Sequence, residues 1–110
     1  MALDTGSLVT SMLGAMEPIL KKYWKVVGSY AESESKKTAE TLATIETQLA
    51  TKQIDQEQAH VLLDMQKHAT RAVLLTVEGI GLIAAESAIN AAFGIIRKVV
   101  NDALGFTLIA

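Results

Sequence analysis

The chain has 110 residues, of which half are hydrophobic and only 5% aromatic, with a formal net charge of −2 and no cysteine. This length allows one domain with a modest core. The near-neutral charge, without a basic stripe and interleaved aromatic residues, argues against direct nucleic-acid recognition, and the lack of cysteine excludes disulfides and thiolate chemistry. Few aromatic residues, one proline and few turn signals favour long helices, so the predicted fold class is all-α.

An amphipathic helix is predicted for the first thirty residues. Asp4, Thr5 and Ser7 offer N-cap oxygens. Pro18 interrupts the segment, and because proline removes a helical hydrogen bond we expect a kink near it. Apolar residues recur at spacings of three and four, as in a coiled coil: Val9, Met12, Met16, Ile19, Tyr23, Val26 and Tyr30.

Three lysines surround two aromatic residues near position 23. Basic residues beside aromatic ones are typical of a membrane–water interface, where lysines extend toward the head groups. The alternative interpretation is a core Tyr and Trp beside a solvated lysine face. The candidate interface residues are Lys21, Lys22, Tyr23, Trp24 and Lys25.

Residues 31–50 are polar, with a thin apolar seam, and predict an exposed helix that packs along one narrow line. A turn is predicted at residues 51–55. Asp55 followed by Gln58 has the spacing of a capping box, with Ile54 before it as a staple residue.

Residues 71–105, and above all GIGLIAAESAINAAFGII at 79–96, form an apolar segment that the rest of the chain is expected to cover. Gly79 and Gly81 are the expected hinge, Gly105 suits a helix C-cap, and the apolar tail FTLIA predicts docking onto a neighbour. Polar residues form one band on this segment, which we interpret as the lining of a lumen or partner surface, or alternatively as the solvated edge of a buried helix: Arg71, Glu78, Glu86, Asn90, Arg97 and Asn101.

A single antiparallel helical hairpin over residues 1–110 follows from these segments. Residues 8–27 and 73–110 would form an apolar base, and residues 31–72 a polar tip, with arms about 65 Å long. A two-helix rod cannot bury such a base, so we expect it to assemble into a homo-oligomeric helical bundle or ring.

His60, Asp64 and His68 lie on one helical face at spacings that suit a metal ion. They fall in the slender polar tip, where water is not excluded, and solvated side chains explain them more simply. We therefore predict no metal, no cofactor and no enzyme activity, since no nucleophile–base pair or phosphate loop is visible.

The function expected from the sequence is that of a non-enzymatic structural protein. It would form a homo-oligomer that contacts or crosses a membrane, as a ring, a channel or an internal virion component, alone or with other structural proteins. The alternative is a soluble helical scaffold or adaptor whose apolar base docks a partner protein. The first residues lack the basic region of a secretory signal, so no signal peptide is expected. The sequence does not fix a location, but the apolar base favours a membrane-associated or assembly-bound one.

Overall fold

The computed structural model describes residues 3–110, which form four α-helices and one short 3₁₀ turn. The prediction of an all-α fold is confirmed. Helix α1 covers Thr5–Leu20, a 3₁₀ turn covers Lys21–Tyr23, and α2 covers Trp24–Ala50. Helix α3 covers Gln56–Leu75 and α4 covers Leu82–Leu104.

Local signals in the sequence set most of the helix ends. The Asp4 carboxylate accepts a hydrogen bond from the Ser7 N–H and caps α1. Asp55 and Gln58 form the predicted capping box at the start of α3, with bonds of 2.8 and 2.9 Å. Gly105 ends α4 in the left-handed conformation, at φ +79°. These three predictions are confirmed.

The four helices form an antiparallel bundle in which each helix packs against the next and α1 also packs against α4. The N–H of Leu3, two residues before α1, donates to the Glu46 carboxylate near the end of α2. Contacts join Glu34 of α2 to Thr70 of α3, and Arg71 of α3 to Glu86 of α4. All three pairs join an early position of one helix to a late position of its neighbour.

The long hairpin is not confirmed, because each of its arms is folded in half. The first arm turns back at Lys21–Tyr23, and the second turns back at residues 76–81. The pairing of the arms is nevertheless present, since α1 packs on α4 and α2 on α3. The molecule measures 42 × 22 × 20 Å instead of 65 Å along a rod.

The first reversal differs in position from the expected kink. Pro18 lies inside α1 on its exposed side, and the helix continues for two more residues. The break comes at Lys21, whose φ of +27° is incompatible with a helix. The second reversal contains Gly79 at φ +93°, within the predicted hinge.

Folding back gives the apolar base a partner within the same chain. Side chains of α1 and α4 that a two-helix rod would leave open now form the bundle core, so self-association is not needed to bury them. The largest fully buried residues are Met16, Leu20, Val27, Leu42, Ile45, Leu74, Ile89, Ile96 and Val100.

The apolar tail also packs on its own chain, which corrects the expectation that it docks onto a neighbour. Leu108 and Ile109 are buried, and the Phe106 ring meets the His60 ring edge-on, with 6.0 Å between centroids. The tail reaches the groove between α3 and α4, where burial of its apolar side chains favours the folded position.

Candidate functional site

One end of the bundle combines most of the features that suggest an interaction. We define the lysine end as the 3₁₀ turn, the first turn of α2, residues 76–81 and the first turn of α4. The two chain reversals meet here, because the Tyr23 ring lies directly against Gly79. Leu20, Leu74, Val77 and Ile80 close the core beneath this end.

The lysines of this end are exposed, and its aromatic residues are half-buried. Lys21, Lys22 and Lys25 reach solvent, while Tyr23 and Trp24 pack partly against the core. The Lys22 Nζ atom lies 5.3 Å from the centroid of the Tyr23 ring, in the range of a cation–π contact. The structure therefore brings all five predicted interface residues to one end of the bundle.

Three aliphatic side chains at the same end are exposed, and Ile83 is the most exposed of the large hydrophobic residues. Ile83 is 85% exposed, Val26 60% and Leu82 57%. Each lies within the first turn of its helix, close to the two reversals. Exposed apolar side chains that share one end of a bundle with charged residues are candidates for an interaction surface.

Two carboxylates moderate the charge of the lysine end. Glu78 belongs to the second reversal, and Glu17, in the last turn of α1, lines a cleft with Lys21 and Trp24 beside the lysine end; both are exposed. Three lysines against these two glutamates leave an excess of one positive charge. The electrostatic attraction of this end for an anionic surface is therefore modest, and its aliphatic residues would have to contribute as well.

The predicted polar band does not converge on one site. Arg71 and Glu86 form an ion pair between α3 and α4, with both side chains about one-third exposed. Asn90 and Arg97 lie farther along the exposed edge of α4, and both line the cleft beside the tail. The lumen that these residues were expected to line stays a prediction.

Asn101 has a specific partner that sequence reasoning did not identify. Its Oδ1 accepts from the Leu108 and Ile109 N–H groups at 2.9 Å each, and its Nδ2 donates to the Ile109 carbonyl at 2.8 Å. Asn101 thus fastens the tail, which is an intramolecular role. An amide side chain in the last turn of a helix, four residues before Gly105, was the only available signal.

The histidines suggested as metal ligands lie on the surface of α3. His60, Asp64 and His68 are all exposed, and His60 is engaged with Phe106. Across residues 3–110, no group of three or more His, Cys, Asp or Glu side chains is arranged to hold a metal ion.

A buried polar cluster between α2 and α3 was also missed. The Glu34 side chain is 3% exposed, and its carboxylate accepts from Thr70 Oγ1 at 3.2 Å, Gln66 Nε2 at 3.3 Å and Lys37 Nζ at 3.1 Å. The apolar seam of α2, continued toward its start at spacings of three and four, runs through this position. Because Glu34 is charged, the sequence did not show that the buried seam of α2 continues through this position.

No α-helix within the described part of the chain combines the length and apolar character needed to cross a membrane. No protein-family model, curated protein or solved structure matches the chain. Any inference about function therefore rests on the geometry of this bundle.

Proposed function

We propose that this chain is a non-enzymatic structural protein that contacts a membrane surface with its lysine end and acts as a homo-oligomer. The observation that supports the membrane contact is the joint exposure of Val26, Leu82 and Ile83 beside three lysines. Aliphatic side chains at the tip of a bundle can enter the interfacial region of a bilayer while the flanking lysines meet lipid phosphates.

The expected strength of this contact is moderate. Full burial of an aliphatic side chain contributes about 1.5–3 kcal/mol, and a lysine near an anionic membrane contributes about 1 kcal/mol. Glu17 and Glu78 oppose the lysines, so we expect reversible binding that is stronger on anionic than on neutral lipid. The ring or virion setting, with the polar band as an inner lining, stays a prediction within this proposal.

The test is flotation of the purified chain with vesicles of phosphatidylcholine, with or without phosphatidylserine. The double variant Leu82→Ser with Ile83→Ser should lose most of the flotation. Ile95→Ser with Val99→Ser is the matched control, because these residues are exposed to a similar extent farther along the same helix. Wild type that stays at the bottom with both lipids, or two variants that float equally well, would contradict the proposal.

A protein scaffold is the second candidate. An open cleft of about 430 Å³ lies beside the lysine end, lined by Gly14, Glu17, Pro18, Lys21 and Trp24. A side chain of a partner protein could enter it next to the indole ring. This candidate would be favoured if the wild-type chain does not bind vesicles and if replacement of Trp24 abolishes its binding to a protein partner.

A further inference from the structure

Helix α3 carries a largely apolar row of side chains on the face that points away from the bundle core. Val61, Met65, His68, Ala72 and Leu75 follow one another at spacings of four, three, four and three, and all five are exposed. We call them the α3 seam. The residues that bind α3 to the rest of the bundle are others, namely Ala59, Leu63, Thr70 and Leu74. The alternating spacing is that of a coiled-coil interface, although the seam faces away from its own bundle.

We propose that the α3 seam binds the α3 seam of a second copy of this chain in antiparallel orientation. The proposal specifies the homo-oligomer of the proposed function, and it is independent of the membrane contact. A two-fold axis is the usual symmetry of such a pair, because each copy then contributes the same surface.

The side chains of the seam complement one another when one copy is reversed. In an antiparallel pair, the numbers of two residues that face each other across the interface have a constant sum. When this sum is 133, Val61 lies opposite Ala72 of the second copy, and Met65 lies opposite His68 of the second copy. Val61 then faces the small Ala72 side chain, and the Met65 thioether meets the His68 imidazole ring, which is a favourable contact. Leu75, at the end of the seam, lies opposite Gln58. A parallel pair in register would instead put each residue against its own copy, with two His68 rings in one layer.

The charges that flank the seam support the same orientation. Asp64 and Arg71 lie on one edge of the seam, one heptad apart. In the antiparallel register, each Asp64 comes next to Arg71 of the second copy, which gives two ion pairs related by the two-fold axis. In a parallel pair, Asp64 and Arg71 would instead lie beside the uncharged Ala69 and Thr76 of the second copy. Arg71 also binds Glu86 in its own chain, and a guanidinium with five N–H donors can serve both carboxylates.

The other edge of the seam is apolar. Leu62, which is half-buried, would come next to Ala69 of the second copy in the same register. The seam is about 21 Å long from Val61 to Leu75. One helix face of this length buries less than a standard interface of about 800 Å² on each partner, so we expect a reversible, concentration-dependent dimer.

Cysteine cross-linking tests the orientation directly, since the chain has no cysteine of its own. A mixture of the Val61→Cys and Ala72→Cys variants should form a disulfide-linked dimer under mild oxidation. Each variant alone should not, because its two thiols would be about 16 Å apart along the seam, beyond the reach of a disulfide. Efficient linking of each variant with itself would show a parallel pair and overturn the proposal.

Sedimentation equilibrium without lipid tests whether the α3 seam is the surface through which two copies associate. Met65→Lys should weaken the dimer by about ten-fold or more, because an unpaired charge would be desolvated in the seam. Ile95→Lys is the control on α4, since Ile95 is 59% exposed and Met65 63%. The control variant should dimerise like the wild type.

The outcomes separate this inference from the proposed function. A dimer that Ile95→Lys disrupts and Met65→Lys leaves intact would overturn the α3 seam but keep the homo-oligomer. A chain that stays monomeric at every concentration would overturn both the seam and the homo-oligomer, and vesicle flotation would still decide the membrane contact.

Discussion

The Tyr23 ring packs against Gly79 so closely that a Cβ atom on this glycine would lie 2.8 Å from Tyr23 Cε1. This contact joins the two reversals of the chain, which are 56 residues apart in sequence. The contact holds the two reversals together, so they form a single end of the bundle. The lysine end therefore depends on a position where no side chain fits.

Replacement of Gly79 should destabilise the protein. Gly79→Ala would place a side chain on a residue at φ +93° and against the Tyr23 ring, so we expect the free energy of unfolding to fall by about 1–3 kcal/mol. Chemical denaturation measures this. Gly94→Ala is the control, because Gly94 lies in open space within α4 and should gain about 0.5–1 kcal/mol. Equal effects of the two substitutions would contradict the close packing at Gly79.

A buried hydroxyl in α2 should be replaceable with a gain in stability. Thr38 Oγ1 is fully buried and has no hydrogen-bond partner among the described protein atoms. Thr38→Val keeps the shape and removes this cost, so thermal or chemical unfolding should show a gain of about 1–2 kcal/mol. Thr44→Val, at an exposed position of the same helix, should change stability by less than about 0.5 kcal/mol. A clear loss for Thr38→Val would mean that the hydroxyl does have a partner.

Loss of the Asn101 side chain should release the tail. Asn101→Ala removes three hydrogen bonds, each with a net contribution of about 0.5–1.5 kcal/mol. Hydrogen exchange at the Leu108 and Ile109 amides should become much faster, while exchange in the core of α2 stays slow. The control is Asn90→Ala, on the exposed face of α4. If exchange at Leu108 were unchanged in Asn101→Ala, the tail would be held by its apolar contacts alone.

The sequence predicts those parts of the fold that have a local cause. The Asp55–Gln58 capping box and the Gly105 cap depend on residues within one turn, and both are present. The reversal at Lys21 has no such cause. A lysine at positive φ is unfavourable, and the apolar spacing runs without interruption from α1 into α2. Only packing of α1 against α2 reveals that the chain turns there.

In the candidate site, too, the sequence predicts the features that depend on neighbouring residues and does not predict those that depend on packing. The cluster of lysines around Tyr23 and Trp24 was visible because its residues are consecutive. Leu82 and Ile83 looked like part of a buried apolar segment, and only the bundle shows that they are exposed at the same end. The buried Glu34 and the tail-binding Asn101 were missed for the opposite reason, because a polar residue suggests solvent until its partners are known.

The most direct test of the membrane contact uses the only tryptophan of the chain, Trp24, which lies at the lysine end. Its fluorescence should be measured with anionic vesicles that contain brominated lipid, which quenches an indole ring that enters the interfacial region. We expect quenching for the wild type, and little quenching for the Leu82→Ser, Ile83→Ser double variant. Wild-type Trp24 fluorescence that brominated vesicles leave unchanged, at concentrations where the protein is bound to them, would show that another surface meets the lipid and would contradict the account.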